Sequence, residues 1–316
     1  MTNNQPQDKL SAMPINRQTA SFLKRRFSEV GLQPDPRHGQ NFLTDLNLLH
    51  LLASTADVGP NDVILEVGTG TGSLTALLAK QAAAVVTVEI DAHLHQMASE
   101  ELYEFDNVTM LLQDALRNKN NFSPTVLETL REKLAESPGR QLKLAANLPY
   151  NVATPIISNL LLTDLQPVSL TVTIQKELAD RITAGPRSKD YGALSIWIQC
   201  LCHAELIRIM PPTVFWPRPK VDSAILQITP QADQQAAVPD LPYFHRFVRA
   251  MFFHRRKLLR SVILSAFKKR LDKPTVDGVM AQQQLAANAR AEELDVPQML
   301  SLCEAIRAID SEWTGN

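Results

Sequence analysis

From Asp62 onward the chain alternates short, nearly continuous apolar runs with longer stretches whose apolar residues recur every three or four positions. The runs are "DVILEVG", "AVVTVEI", "VTMLLQ", "LKLAA" and "LTVTIQ". Between them lie "SLTALLAKQ", "DAHLHQMASEEL", a polar helical stretch from Pro124 to Ser137, and a helical stretch from Val152 to Leu162. Runs with no polar alternation are strands buried on both faces, and helical connections make such strands parallel neighbours. The pattern predicts an α/β fold with a parallel sheet covered by helices on both sides. It changes after Tyr191. "HAELIRIM" and "SAILQIT" are strand-like but are joined by "PPTVFWPRPKVD", which is too short for a crossover helix. That pair is expected to be antiparallel, giving the sheet a mixed edge.

The same pattern sets the expected boundaries. Residues 1–16, "MTNNQPQDKLSAMPIN", have no apolar core of a secretory signal and read as a flexible polar tail. Residues 17–230 hold the sheet, the polar segment 231–240 reads as a linker, and 241–316 read as helical throughout. There is no internal repeat. With 316 residues, 45% hydrophobic and 21% charged, the composition is that of a soluble globular protein, and no apolar run of transmembrane length occurs. Three cysteines cannot form a disulfide framework and suit a reducing, cytoplasmic setting. A formal net charge of −1 announces no polyanionic partner, so a nucleic acid would have to be met by a local patch.

Candidate chemistry sits at the ends of the predicted strands. The first runs into "EVGTGTGS", where Gly68, Gly70 and Gly72 are spaced G-x-G-x-G; the dinucleotide fingerprint would need glycine where Ser73 stands. Glycines here let a ligand approach the backbone, although a plain strand-to-helix turn has the same look. Glu89 ends the second strand, where a carboxylate can accept ribose hydroxyls and repels a 2′-phosphate. Asp114 follows the third and can accept from an adenine amino group. Three such positions with no basic residue for phosphate favour an adenosine without phosphates, and S-adenosylmethionine is that ligand.

The fourth strand ends in "NLPYNVATPII". An adenine amino group is a poor nucleophile because its lone pair is delocalised into the ring. Methylating it calls for acceptors that hold the amino hydrogens, and Asn147 offers a side-chain oxygen while Leu148 offers its carbonyl. Pro149 removes a backbone donor and stiffens the turn. Tyr150 offers a face for an extruded base. Taken alone, N-x-P-Y also reads as a turn with a core tyrosine.

The ordered set of these motifs resembles the ribosomal RNA adenine dimethyltransferases that act on small-subunit (16S) RNA. "HGQNFLTD", "EVGTGTGSLT", "VEID", "QDA" and "NLPYNVATPII" come in that family's order, followed by "QKELADRI", "YGALSI", "FWPRPKVDSA", "FFHRRKLLR" and "RAEELDVPQ". The resemblance implies a Rossmann-like S-adenosylmethionine-dependent methyltransferase sheet with a small C-terminal helical RNA-binding domain at 241–316. It implies dimethylation of two adjacent adenosines in a 3′-terminal hairpin and a role in ribosome assembly, with the small subunit and its RNA as partners. By the same resemblance Gln40, Asn41 and Leu43 join Gly68, Gly70, Glu89, Asp114 and Asn147 as donor-binding residues. Phe215 should stack on the target adenine opposite Tyr150. Thr69 stands where the family commonly has proline, and His38 where an aromatic is usual. The segment between Asp114 and the fourth strand is longer than typical and reads as an elaborated surface helix.

RNA contact is expected from Arg255, Lys257 and Lys268, with Lys24, Arg25 and Arg26 as a further basic cluster. Read as one helix, "FFHRRKLLR" puts Arg256 within the apolar face of Phe252, Leu259, Ile263 and Phe267, where it would snorkel or pair. "CLCH" at Cys200–His203 lacks a second ligand pair, so structural cysteines on a helix are expected and no metal is predicted. His93 and His95 read as surface histidines. A monomer is the expected state. The alternatives are a large-subunit adenine methyltransferase, a non-catalytic assembly factor on the same fold and, more remotely, a nicotinamide oxidoreductase.

Overall fold

The computed structural model describes residues 19–29, 31–35 and 39–315. The expected tail, 1–16, and His38 lie outside the described residues. The chain runs α1 (Ala20–Glu29), β1 (Phe42–Leu43), α2 (Leu46–Thr55), β2 (Asp62–Val67), α3 (Ser73–Ala79), β3 (Ala84–Glu89), α4 (Ala92–Glu101) and β4 (Val108–Leu112). It continues with β5 (Leu116–Asn118), β6 (Asn121–Phe122), α5 (Pro124–Ala135), β7 (Gln141–Asn147), α6 (Ala153–Leu160), β8 (Ser169–Gln175), α7 (Lys176–Thr183) and α8 (Ala193–Leu201). Then come β9 (Cys202–Met210), β10 (Phe215–Trp216), β11 (Ser223–Pro230), α9 (Ala232–Ala236), α10 (Leu241–Phe252), α11 (Leu259–Ala266), α12 (Lys273–Gln282) and α13 (Val296–Arg307).

One seven-stranded sheet, in the order β4-β3-β2-β7-β8-β11-β9, organises the chain. Strands β4, β3, β2, β7 and β8 are mutually parallel, while β11 runs antiparallel to both β8 and β9. The mixed edge predicted from the short Pro211–Asp222 connection is therefore present. Every residue of β2 and of β3 is buried, as strands covered on both faces require. Aspartates start the helices: Asp45, Asp91, Asp240, Asp272 and Asp295 each accept a backbone N–H from the first turn of the helix that follows.

Several expectations need correction. "VTMLLQ" forms β4 at the sheet edge and is only half-buried, because it has a neighbour on one side alone. The long segment after Asp114 is not a surface elaboration: it makes the β5–β6 hairpin and then α5, whose Val126 and Leu130 are both 0% exposed in the main core. That helix is the crossover connection that parallel pairing of β2 and β7 demands. The helix carrying Cys200 ends at Leu201, so Cys202 opens β9; all three cysteines are free and buried. The segment 231–240 contains α9. The C-terminal helices pack directly on α8, with Trp197 against the rings of Phe244 (6.3 Å) and His245 (4.6 Å). Tyr191 donates to the Leu294 carbonyl at 2.9 Å, so sheet layer and helices share one core.

At the N-terminal rim of the sheet, Lys143 Nζ pairs with Asp62 Oδ2 at 2.8 Å and also donates to the Asp57 carbonyl; the two side chains are 11% and 3% exposed. Removing one member of a buried pair strands the other without water. Lys143→Ala is expected to cost about 3 kcal/mol in a urea unfolding series, with donor binding unchanged in the molecules that remain folded.

Candidate active site

A cleft of about 280 Å³ opens at the C-terminal ends of β2, β3 and β7. This is where the strand order reverses, between β2 and β7, and it is the crevice in which open α/β sheets bind ligands. The glycine turn forms its floor. Gly68, Gly70 and Gly72 have φ of +87°, +57° and +81°. A Cβ at Gly68 would lie 3.3 Å from the Pro149 ring, and one at Gly70 would lie 3.3 Å from the Phe42 ring. Glycine is thus needed for its backbone and for the close approach of "NLPY" and of "QNF".

Beneath the turn lies a buried polar chain. Thr69 Oγ1 is 2.7 Å from Thr87 Oγ1, Thr87 donates to Glu66 Oε2 at 2.7 Å, and Thr75 donates to the same oxygen at 2.6 Å. Thr69, the residue standing in for proline, anchors the turn through its hydroxyl. Burial pushes the Glu66 carboxyl up to about 8, against the pull of the two threonine hydrogen bonds. Because the folded protein holds a proton that the unfolded chain releases above about 4.5, this group's stability contribution is fullest at acid pH and is lost as pH rises toward 8. Glu66→Gln is therefore expected to melt higher than the parent, the gap widening from pH 5 to pH 8 and reaching a few kcal/mol on the order of the linkage; a gap independent of pH in thermal melts would contradict it.

Glu89, at the end of β3, accepts from Gly70 N (2.9 Å) with one oxygen and from Ile90 N and Asp91 N (3.0 Å each) with the other. It clamps the glycine turn to the strand end, and burial raises its pKa. Three of roughly four carboxylate acceptor sites are taken, so receiving both hydroxyls of a ribose requires one amide to share its oxygen. Asp114 uses one oxygen on Leu116 N (2.8 Å), and its other oxygen has room for an adenine amino group. Gln40 also lines the cleft, but its amide is committed to Asp35 N (2.7 Å) and Asp91 Oδ2 (3.3 Å), fastening the N-terminal segment across the site. Asn41 and the buried Leu43 complete that wall.

Asn147 closes the cleft beside Asn41. Its amide nitrogen donates to the Asn41 carbonyl at 2.9 Å, which leaves Oδ1 as the acceptor of the group. The Leu148 N–H is held by the Thr173 carbonyl at 3.1 Å, and Pro149 sits against Gly68. Tyr150 is half-buried, its hydroxyl bonded to Ser223 Oγ of the "KVDSA" motif. Phe215 departs from expectation. Its ring is 3% exposed and packs with Met210 and Ile225, because β10 pairs with β1 and turns Phe215 into the core; it presents no open face to a base in this conformation. Its neighbour Trp216 stays partly exposed, against Phe27 and Phe42.

The cleft lining carries Glu66, Glu89 and Asp114 and, among the described residues, no lysine or arginine. A phosphate would find no cation there, whereas a positively charged adenosine derivative is met by Glu89 and Asp114, with Glu66 held neutral beneath the glycine turn, so the donor set fits S-adenosylmethionine. Glu66 was not singled out from the sequence, although an acid inside the apolar run "DVILEVG" was the available signal. Ser223 lies in the "KVDSA" motif, but nothing in the motif alone pointed to its pairing with the Tyr150 hydroxyl.

The basic residues divide. Arg255 is engaged, with its guanidinium on Glu292 (2.5 Å) and on the carbonyls of Lys189 and Ser188 (the latter at 2.9 Å). Lys257 and Lys268 are exposed. So is Arg256, because a turn at 253–258 interrupts the expected single helix and removes it from the apolar face. His93 is exposed but His95 is half-buried, with Nε2 shielded and unpartnered. No helix among the described residues is long and apolar enough to cross a membrane.

Comparison with known proteins is consistent with this geometry. The chain is 40% identical over 281 residues to the ribosomal RNA small subunit methyltransferase A of Lactiplantibacillus plantarum, covering 89% of this chain and 92% of that protein. It is 38% identical to the protein of the same name from Streptococcus gordonii, covering 85% and 91%. In structure it is similar to a dimethyladenosine transferase from Plasmodium falciparum (TM-score 0.66, 22% identity, covering 82% and 95%) and to the 23S rRNA methyltransferase ErmE (TM-score 0.58, 24% identity, covering 84% and 98%), which speaks to the fold. A family model for ribosomal RNA adenine dimethylase matches residues 32–307, and the chain belongs to that family.

Proposed function

We propose that this protein transfers methyl groups from S-adenosylmethionine to the exocyclic amino groups of two adjacent adenosines in a 3′-terminal hairpin of small-subunit (16S) ribosomal RNA. It acts in the cytoplasm as a monomer during ribosome biogenesis. The observation that carries this reading is the Asn147 amide: its nitrogen is spent on Asn41 and its oxygen is the one uncommitted side-chain acceptor of the "NLPY" turn, on the wall of a cleft that carries Glu89 and Asp114 and, among the described residues, no lysine or arginine.

S-adenosylmethionine, when bound, supplies an electrophilic sulfonium methyl, so the chain needs little basic catalysis. Its task is to make the amino nitrogen a better nucleophile and to hold it in place. Asn147 Oδ1 and the Leu148 carbonyl accept the two amino hydrogens and draw the nitrogen toward a tetrahedral shape. Preorganised dipoles of this kind act without rearranging at the moment of reaction. Neither oxygen retains a proton, so the hydrogen displaced from nitrogen passes to solvent. Tyr150, fixed through Ser223, provides a stacking platform for the extruded base. Gln40, Asn41, Leu43, Gly68, Gly70, Glu89 and Asp114 hold the donor, and Lys257 and Lys268 contact RNA phosphates.

The reading is tested by calorimetric titration with S-adenosylmethionine and, separately, NAD, followed by methyl transfer to purified ribosomal subunits. Binding of the first ligand alone, with small subunits as the acceptor, is expected. Methyl transfer confined to large subunits would overturn the substrate assignment.

A further inference from the structure

Outside the cleft, a groove of about 610 Å³ lies between α10, α11 and the end of the described chain. Arg246, Arg249, His254 and Phe253 line it, and no aspartate or glutamate does. Trp313 holds the far wall: its ring stacks on Phe267 at 4.4 Å and its Nε1 donates to the Ala266 carbonyl at 3.1 Å. Two features call for an occupant. The Nε of Arg246 is shielded from solvent with no hydrogen-bond partner, and the guanidinium's own hydrogen bond, Nη2 to the Trp313 carbonyl, is long at 3.5 Å, so the group on the groove wall is weakly satisfied. Phe253 is 80% exposed beside His254, at a ring separation of 4.9 Å.

We propose that this groove is a second RNA contact, in which Arg246 and Arg249 take a backbone phosphate and Phe253 stacks an unpaired base. The charge is complementary to a polyanion, and the exposed ring beside it is the pairing of features that single-stranded nucleic acid uses and a folded acidic protein does not need. His245, whose imidazole is pushed down to about 4 by burial and by the charges of Arg249 and Arg246, adds a neutral hydrogen bond to Ser158 (3.1 Å). The placement also suits a strand that reaches the cleft. Ser158 lies on α6, and Val152, at its start, lines the cleft; six residues of helix separate them, or about 9 Å. Asn120, which accepts from Arg249 at 3.3 Å, lies on the β5–β6 turn that follows Asp114. The residues are distinct from Lys257 and Lys268, and the inference rests on RNA being the substrate class.

Binding of a short fluorescent single-stranded RNA, measured across a salt series for the parent, Phe253→Ala, Phe253→Trp and Arg249→Ala, tests this. Both positions are exposed, and S-adenosylmethionine titration checks that each variant folds. Phe253→Ala should weaken binding by about 5- to 150-fold with the salt slope unchanged, and Phe253→Trp should restore it. Arg249→Ala should reduce the slope of log K against log salt by about 0.7. Unchanged affinity in both alanine variants, no RNA binding by the parent, or equal displacement of the RNA by polyglutamate would overturn the proposal. If the parent binds RNA and the variants lose it, yet no methyl group enters small subunits, the functional assignment fails while the groove stands.

Discussion

Asn147→Ala is expected to lower methyl transfer by about 10²- to 10³-fold, the usual cost of removing one preorganised polar group from a reacting centre, while the donor still binds. The two readouts separate because the side chain has two ends. Its nitrogen ties the "NLPY" turn to the Asn41 carbonyl, and Asn41 is held independently through its own side chain on the Gly39 carbonyl at 3.1 Å. The cleft wall therefore survives the truncation. What disappears is Oδ1, the acceptor that engages the amino hydrogens as the nitrogen becomes tetrahedral. Such a loss lowers kcat and kcat/KM together, whereas loss of mere binding would raise KM. Single-turnover transfer at saturating donor, with calorimetric donor affinity beside it, checks this. Full transfer by the variant would remove Asn147 from the chemistry.

Glu89→Ala should act on the other side of the ledger, weakening donor affinity by about 10- to 100-fold, the range of one charge-assisted hydrogen bond. Glu89 receives Gly70 N, Ile90 N and Asp91 N, so its removal frees the glycine turn as well as a ribose acceptor. Glu89→Gln keeps an acceptor oxygen but brings an N–H toward backbone amides, and it should fall between the two. At saturating donor, transfer by either variant should recover much of the parental rate. Donor affinity unchanged in Glu89→Ala would show that the ribose is not read here.

The parallel sheet, its antiparallel edge and the rim that holds the site were legible because period and strand-end chemistry are local properties of the sequence. Gly68, Glu89, Asp114 and Asn147 could be placed together from strand order alone, and the structure does bring them to one cleft. What escaped depends on long-range packing. Phe215 was expected, from the family resemblance, to stack on the target adenine, yet pairing of β10 with β1, some 170 residues away in sequence, turns it into the core. Arg256 looked buried because helical periodicity was carried across 253–258, where the backbone turns. Arg255 looked available until Glu292 and two carbonyls of the 188–189 loop met it. Glu66 was visible as an acid in an apolar run, but its neutral state follows only from burial under the threonine chain.

The most direct measurement is the mapping of methyl groups introduced from labelled S-adenosylmethionine into small ribosomal subunits that lack the modification, with large subunits as control. Two adjacent N6,N6-dimethyladenosines in the 3′-terminal hairpin of the small-subunit RNA are expected, and none elsewhere. Donor binding without incorporation, or methyl groups at another base or in the large subunit, would contradict the assignment.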